Sequence, residues 1–168
     1  MAVTMSFSDD TNAVVIGLAI LGFTSFTLAF TCAFIMIFTG YLANEKDTVL
    51  KKIPPMCWMM PAEENLKVGP EAEKPRAMER AQNCHRNHTE NSVMLACWYI
   101  IYLTVQPDST TGRVCIYISS IARILYGICY LANLSPWRTI SFMTAAFAGA
   151  VVAVIGLAEL AADDAGEI

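Results

Sequence analysis

The chain has 168 residues, of which 55% are hydrophobic and only 15% are charged, and its mean hydropathy is +0.47. This composition excludes an ordinary soluble domain, in which about a quarter of the residues are charged. The net charge of −4 is small, and no basic cluster indicates a nucleic-acid partner. The sequence instead predicts an all-α integral membrane protein, a four-helix bundle that forms one domain covering 1–168.

The first predicted helix covers roughly 11–43, a stretch without a formal charge. It is too long for the apolar region of a signal peptide, and the segment before it, MAVTMSFSDD, has no basic residue. We therefore expect no cleavable signal or transit peptide, and we expect the first helix to act as its own insertion signal.

A loop at 45–75 follows the first helix. Its segment IPPMCWMMPA contains prolines that forbid a regular helix. Trp58 and its neighbouring methionines are typical of a segment that lies at the lipid headgroups or against a neighbouring subunit. Nothing in this loop indicates chemistry.

The second predicted helix, roughly 75–106, changes character along its length. It begins with the polar segment ERAQNCHRNHTEN, and the stretch 91–107 is uncharged and reads as membrane-buried. Residues three and four apart share a helical face, so one polar stripe collects five side chains: Glu79, Asn83, Arg86, Asn87 and Glu90. We expect this stripe to lie between subunits and away from lipid.

The third predicted helix, roughly 111–133, carries Arg123, Tyr126 and Tyr130 on one face. An arginine at mid-membrane costs at least about 2.5 to 3.5 kcal/mol, so it should face the bundle and have a partner. At 1.5 Å per residue, Glu90 and Arg123 lie about 22 and 18 Å from the connection between helices two and three. The sequence therefore predicts that Glu90 and Arg123 form a pair.

The fourth predicted helix, roughly 136–161, begins with SPWRT after a short turn. Ser135 suits the N-cap and Pro136 the first helical position, which places Arg138 and Thr139 in the first turn. Together with the two preceding helices, these residues predict a polar pocket that is open on the cytosolic side and suits a small anionic ligand.

Structural alternatives remain open for the same residues. The pair of Glu90 and Arg123 can serve only to fix the register of two helices. Tyr126 and Tyr130 can pack between helices, and Arg138 can anchor the helix at the membrane surface.

The distribution of lysine and arginine predicts the orientation in the membrane. The loop between the first two helices is basic, whereas both ends of the chain are acidic. We therefore expect a multi-pass protein of the endoplasmic reticulum or another organelle membrane, with both termini on the non-cytosolic side.

The six cysteines predict neither a disulfide framework nor a metal site. Four fall within or beside the apolar stretches predicted to span the membrane, no CxxC pair occurs, and metal-ligand spacing is absent. We interpret them as packing residues: Cys32, Cys57, Cys84, Cys97, Cys115 and Cys129.

Two motifs resemble those of one family. ERAQNCHRNHTEN is similar to the ERxxxxHxNxxEN signature of the microsomal glutathione transferases, which are MAPEG proteins, the membrane-associated proteins of eicosanoid and glutathione metabolism. ARILYGICYLANLSPWRTISF resembles the third helix, short turn and fourth-helix start of that family. The resemblance covers roughly 77–160, and the first helix ends with a compatible TGYL.

The resemblance implies a homotrimer that binds glutathione as co-substrate between subunits. It implies a glutathione transferase or peroxidase that acts on hydrophobic electrophiles or lipid hydroperoxides. Arg138 matches the arginine proposed to stabilise the thiolate, and Thr139 falls where the prostaglandin synthase has a serine, so we predict these two as catalytic. The predicted glutathione-binding residues are Arg86, Asn87, Glu90, Arg123, Tyr126 and Tyr130.

The sequence also departs from the pattern of that family. Tyr126 stands where a histidine is common, Asn83 replaces a frequent arginine, and His88 replaces a common aspartate. Ala43 falls where several animal members have a basic residue that clamps glutathione. These changes argue against a mammalian-type eicosanoid synthase and leave two alternatives: a non-catalytic scaffold or accessory subunit of a larger membrane complex, and a lipid-presenting protein.

Overall fold

The computed structural model describes residues 8–42, 59–60, 65–69 and 75–166. Two strands of two residues each, β1 (Tyr41–Leu42) and β2 (Lys67–Val68), pair in parallel, with Tyr41 opposite Lys67. Among these described residues, the other regular elements of more than a few residues are helices, so the predicted all-α class is confirmed. The four long helices described are α1 (Asp9–Thr39), α2 (Arg76–Val105), α3 (Thr110–Leu131) and α4 (Ser135–Gly166).

Three of these helices are long and apolar enough to cross a membrane: Asp9–Thr39, Thr110–Leu131 and the part Ser135–Ala162 of α4. The helix α2 is not among them, because its first half is polar and its apolar stretch, 91–105, is about 22 Å long. The chain is a membrane protein, and a full crossing by α2 remains a prediction.

The chain forms two compact units, one containing Met1–Ser25 with Asn87–Ile168 and the other containing Phe26–Arg86. In the second unit, Ile37 and Met60 are buried together, and Met36 and Leu66 pack against them. Most of the segment IPPMCWMMPA, including Trp58, lies outside the described residues, as does Ala43. The location of this segment at the lipid headgroups or against a neighbouring subunit therefore stays a prediction.

Local backbone geometry explains where α1 and α3 end. The first helix stops at Thr39 and not near 43 because Gly40 has φ of 63°, a left-handed conformation that ends a helix. Asn133 plays the same part after α3 with φ of 60°, and its N–H donates to the carbonyl of Tyr130 at 3.2 Å.

The start of α4 differs from the prediction by one residue. The N–H of Arg138 donates to the carbonyl of Leu134 at 3.0 Å, so Leu134 and not Ser135 is the capping residue. Ser135 is the first helical residue and Pro136 the second, where its missing N–H costs no helical hydrogen bond. Arg138 therefore closes the first turn and Thr139 follows it, each one position later in the helix than predicted.

The core of the larger unit brings together residues of all four helices. A Cβ on Gly17 of α1 would lie 2.7 Å from Ile116 Cγ2 and 3.0 Å from Tyr99 Cε2, so only glycine permits this approach. Close packing of small residues is what holds helices together in lipid, where the hydrophobic effect is absent. The fully or nearly fully buried core comprises Ala13, Val14, Leu21, Leu95, Tyr99, Tyr102, Ile116 and Val152.

A buried hydroxyl cluster joins α2 to α3 within this core. The Tyr99 hydroxyl lies 2.5 Å from Ser119 Oγ and 3.0 Å from Ser120 Oγ, and it donates to the carbonyl of Ile116 at 3.2 Å. None of these side chains is exposed. Their mutual hydrogen bonds remove the cost of placing hydroxyls in a membrane interior.

Candidate functional site

One polar cavity of about 310 Å³ lies where α2, α3 and α4 meet. The turn between Leu131 and Ser135 is short, so the end of α3 lies beside the start of α4. The cavity is lined by one residue of α2, two of α3 and three of α4: Asn87, Tyr126, Tyr130, Arg138, Thr139 and Phe142.

Arg138 supplies the positive charge that lines this cavity. Its guanidinium carbon lies 4.9 Å from the centroid of the Tyr130 ring, a cation–π contact that holds the side chain against α3. Arg138 lies in the first turn of α4, where unpaired N–H groups and the helix dipole also favour an anion. Thr139 follows it, and its hydroxyl donates to the Ser135 carbonyl at 3.4 Å.

Three aromatic rings form one wall of the cavity. The Tyr126 ring centroid lies 5.6 Å from that of Tyr130 and 6.0 Å from that of Phe142. Behind this wall, the guanidinium carbon of Arg123 lies 4.7 Å from the Tyr126 centroid. Arg123 is only 1% exposed, so it supports the wall and does not line the cavity.

Hydrogen bonds orient Asn87 at the cavity edge. The side-chain amide nitrogen of Asn91, one turn later, donates to the Asn87 carbonyl at 2.8 Å and lies 3.4 Å from Asn87 Oδ1. Arg123 Nη2 donates to the same Asn87 carbonyl at 3.2 Å. Since the side-chain oxygen of Asn87 accepts from Asn91, its NH₂ group is the part left to donate to a ligand.

A family model describing the MAPEG family matches residues 19–158, which include every residue of this cavity. The chain belongs to the MAPEG family. No curated protein matches the chain. Membership places the protein in a family of membrane proteins associated with glutathione and eicosanoid metabolism.

The structure places five of the eight predicted site residues of this MAPEG protein around one cavity: Asn87, Tyr126, Tyr130, Arg138 and Thr139. Arg123 lies behind it. Glu90 is exposed on α2 and does not line the cavity. Arg86 is an exposed residue of the second compact unit.

The predicted pair of Glu90 and Arg123 stays a prediction; Arg123 is buried, whereas Glu90 is exposed on α2. Arg123 reaches the carbonyl of Asn87, three residues before Glu90.

Sequence reasoning missed Phe142 and the orienting role of Asn91. Both carried a usable signal: Phe142 lies four residues after Arg138, and Asn91 four residues after Asn87, which is the spacing of neighbours on one helical face. Asn91 also closes the motif ERxxxxHxNxxEN.

The described residues contain no group of three histidine, cysteine or acidic side chains that could hold a metal ion. The described cysteines form no disulfide with one another, and none lines the cavity: Cys32, Cys84, Cys97, Cys115 and Cys129. The protein groups that can act on a ligand here are therefore arginine, tyrosine, threonine and asparagine side chains.

Proposed function

We propose that this protein is a glutathione transferase or peroxidase that works within the membrane. The observation that carries the proposal is the cavity in which Arg138, at the N-terminal turn of α4, lies with Asn87, Tyr126, Tyr130 and Thr139. Tyrosine hydroxyls, an amide NH₂ and a guanidinium suit a small peptide that has carboxylates and a thiol.

The chemistry assigned to Arg138 is stabilisation of the glutathione thiolate. A free thiol has a pKa of about 8.5, so little thiolate exists at neutral pH. A guanidinium and a helix N-terminus both favour the anion, and lowering the pKa by two units takes about 2.7 kcal/mol. The thiolate then forms a carbon–sulfur bond to the electrophile, and the electron pair leaves with the leaving group or moves into the activated double bond. With a hydroperoxide, the thiolate attacks the terminal oxygen, the O–O bond breaks and an alcohol leaves; the glutathione sulfenic acid that forms reacts with a second glutathione to give the disulfide and water. Thr139 would donate to the thiolate once its hydroxyl turns from the Ser135 carbonyl, to which it donates at 3.4 Å.

A neighbouring apolar groove supports a hydrophobic second substrate. It has a volume of about 530 Å³ and shares Thr139 with the polar cavity. The hydroxyls of Thr139 and Thr144 both donate to helix carbonyls, so the groove presents almost only apolar surface. Its lining residues are Ile118, Thr139, Ile140, Met143, Thr144, Phe147 and Ala148. A lipid-soluble electrophile or lipid hydroperoxide in this groove would meet the thiolate at Thr139.

We also propose that the protein assembles as a homotrimer. Exposed residues of α2 recur every three or four positions: Glu90, Val93, Cys97, Ile100 and Thr104. A carboxylate on a face turned toward lipid is costly, whereas a second copy can cover it. A cavity of about 310 Å³ is at the small end for a ligand of this size, which supports completion of the site by a neighbouring subunit.

The proposed setting is the endoplasmic reticulum or another organelle membrane, with both termini on the non-cytosolic side. It rests on the basic loop between α1 and α2 and the acidic ends of the chain. The cavity would then draw glutathione from the cytosol.

Conjugation assays on purified protein test the proposal. Glutathione and a hydrophobic electrophile should give a conjugate, and Arg138→Ala should lower kcat/KM by at least about tenfold, since a charged hydrogen bond contributes about 1.5 to 3 kcal/mol. Ile124→Ala, an exposed site on α3 outside both cavities, is the matched control. Co-purification with stoichiometric foreign subunits, without conjugation, would instead favour a scaffold in a larger membrane complex.

A further inference from the structure

The guanidinium of Arg123 contacts three residues that line the cavity. It lies 4.7 Å from the Tyr126 ring centroid and 5.9 Å from that of Phe142, and Nη2 donates to the Asn87 carbonyl at 3.2 Å. One buried side chain of α3 therefore touches the cavity wall contributed by each of the three helices.

The position of Arg123 decides what it can do for a ligand. The residue is 1% exposed and does not line the cavity, so a ligand touches the rings and the amide in front of it, not the guanidinium. A cation enclosed by aromatic rings and a carbonyl lies in a medium of low effective dielectric constant, and its field extends further than it would in water. The positive charge of Arg123 therefore raises the electrostatic potential in the cavity, although a ligand there does not contact the guanidinium.

We propose that Arg123 is a positioning residue of this site. It holds the Tyr126 and Phe142 rings and the Asn87 backbone in one arrangement, and it adds positive charge that favours an anion in the cavity. It does both without contacting the ligand. The part that concerns glutathione rests on the proposed function, whereas the part that concerns the wall does not.

Replacements of Arg123 separate these two effects. Lysine keeps the charge but lacks the planar group that stacks on rings and reaches a carbonyl at the same time. Methionine has a comparable unbranched stem and no charge. Positioning is therefore reduced in both Arg123→Lys and Arg123→Met, and the charge is lost only in Arg123→Met.

Chemical modification of tyrosine tests the positioning part without any ligand. Tyr126 is 4% exposed, so N-acetylimidazole should acetylate it slowly in the unmodified protein, as measured by mass spectrometry. We expect Arg123→Met to raise that rate at least about threefold and Arg123→Lys to raise it less. Arg113→Met removes the other arginine of α3 and should leave the rate unchanged. An unchanged rate in Arg123→Met would overturn the positioning role.

If neither Arg123 variant folds, a second variant tests the positioning role by the same acetylation measurement. Phe142→Leu removes one ring of the wall and leaves the arginine in place. The ring of Phe142 is 6.0 Å from that of Tyr126, so its loss should also raise acetylation of Tyr126, by a smaller factor. Equal acetylation in Phe142→Leu and the unmodified protein would then contradict the proposal.

Glutathione binding tests the charge part. If Arg123 acts through its field, we expect Arg123→Met to weaken glutathione binding roughly three- to tenfold and to raise the apparent pKa of the bound thiol, with Arg123→Lys restoring most of both. A merely structural role predicts lower thermal stability with an unshifted thiol pKa, and that result would overturn the electrostatic role. If the unmodified protein does not bind glutathione, both the proposed function and the electrostatic role of Arg123 are contradicted. The acetylation experiment still tests the positioning role in that case.

Discussion

The hydroxyl of Tyr102 donates a hydrogen bond to the buried carboxylate of Asp10, with an oxygen–oxygen distance of 2.9 Å. The other carboxylate oxygen accepts the backbone N–H of Asp108 at 2.9 Å, and Arg113 Nη1 lies 3.4 Å from the first. Asp10 is only 3% exposed. One carboxylate thus connects the start of α1, the end of α2 and the start of α3.

Replacing Asp10 should destabilise the protein more than replacing its neighbour. Asp10→Ala removes a buried carboxylate that accepts three hydrogen bonds, so we expect a loss of about 2 to 4 kcal/mol in the free energy of unfolding. Asp9→Ala is the matched control, since Asp9 is exposed. Thermal unfolding in mild detergent measures both, and equal melting temperatures would contradict the assigned role of Asp10.

The sequence could not have predicted this network. Asp10 was read only as part of an acidic N-terminus, because its partners lie 92 to 103 residues later in the chain. The connection between α2 and α3 also depends on left-handed backbone at Gln106 and Asp108, with φ of 43° and 46°, which is uncommon for residues other than glycine. Such geometry is stabilised by tertiary contacts and has no local sequence signal.

Two glycines of α1 should respond oppositely to the same substitution. A Cβ on Gly17 would meet Ile116, Tyr99 and Ser120, all within 3.2 Å, whereas a Cβ on Gly22 meets nothing within 4 Å. We expect Gly17→Ala to cost about 1 to 3 kcal/mol, as overpacking does, and Gly22→Ala to be neutral or to stabilise by up to about 1 kcal/mol. Melting temperatures of the two variants in detergent test this prediction. Equal changes in both variants would contradict it.

The homotrimer predicts proximity of Cys97 in neighbouring copies. Cys97 is exposed on the α2 face that carries Glu90 and Ile100, so copies that meet along this face bring their thiols together. Mild oxidation should give a disulfide-linked dimer on denaturing gels, while the native mass remains that of a trimer. Cys97→Ser should abolish the cross-link with the other cysteines intact. A monomeric mass in several mild detergents would rule the assembly out.

The apolar groove predicts a dependence on the length of the second substrate. Met143→Trp should fill the groove and raise KM about three- to tenfold for an unsaturated aldehyde with a long tail, since each buried methylene contributes about 0.8 kcal/mol. KM for a short aldehyde should change less than twofold. Leu125→Trp is the matched control, because Leu125 is as exposed as Met143 and lines neither cavity. Equal effects of both variants on both aldehydes would show that the tail binds elsewhere.

Much of the candidate site followed from the sequence, for identifiable reasons. The uncharged runs marked the helices, and the turn before SPWRT placed Arg138 and Thr139 in a first turn near the end of α3. The contacts of the long Arg123 side chain did not follow, because its hydrogen bond goes to the backbone carbonyl of Asn87, and a backbone acceptor has no sequence signal. Its actual neighbours, Tyr126 and Phe142, are aromatic rings whose sequence signal is that of ordinary packing residues.

The central claim is that Arg138 stabilises a thiolate, and the ultraviolet absorbance of glutathione bound near neutral pH tests it most directly. We expect a thiolate signal when glutathione is added to the unmodified protein, no signal with Arg138→Ala, and a reduced one with Thr139→Ala, because a neutral hydroxyl donor contributes about 0.5 to 1.5 kcal/mol. Both variants should keep their assembly, since these side chains line the mouth of the cavity. Absence of a thiolate signal from the unmodified protein at millimolar glutathione would contradict the claim.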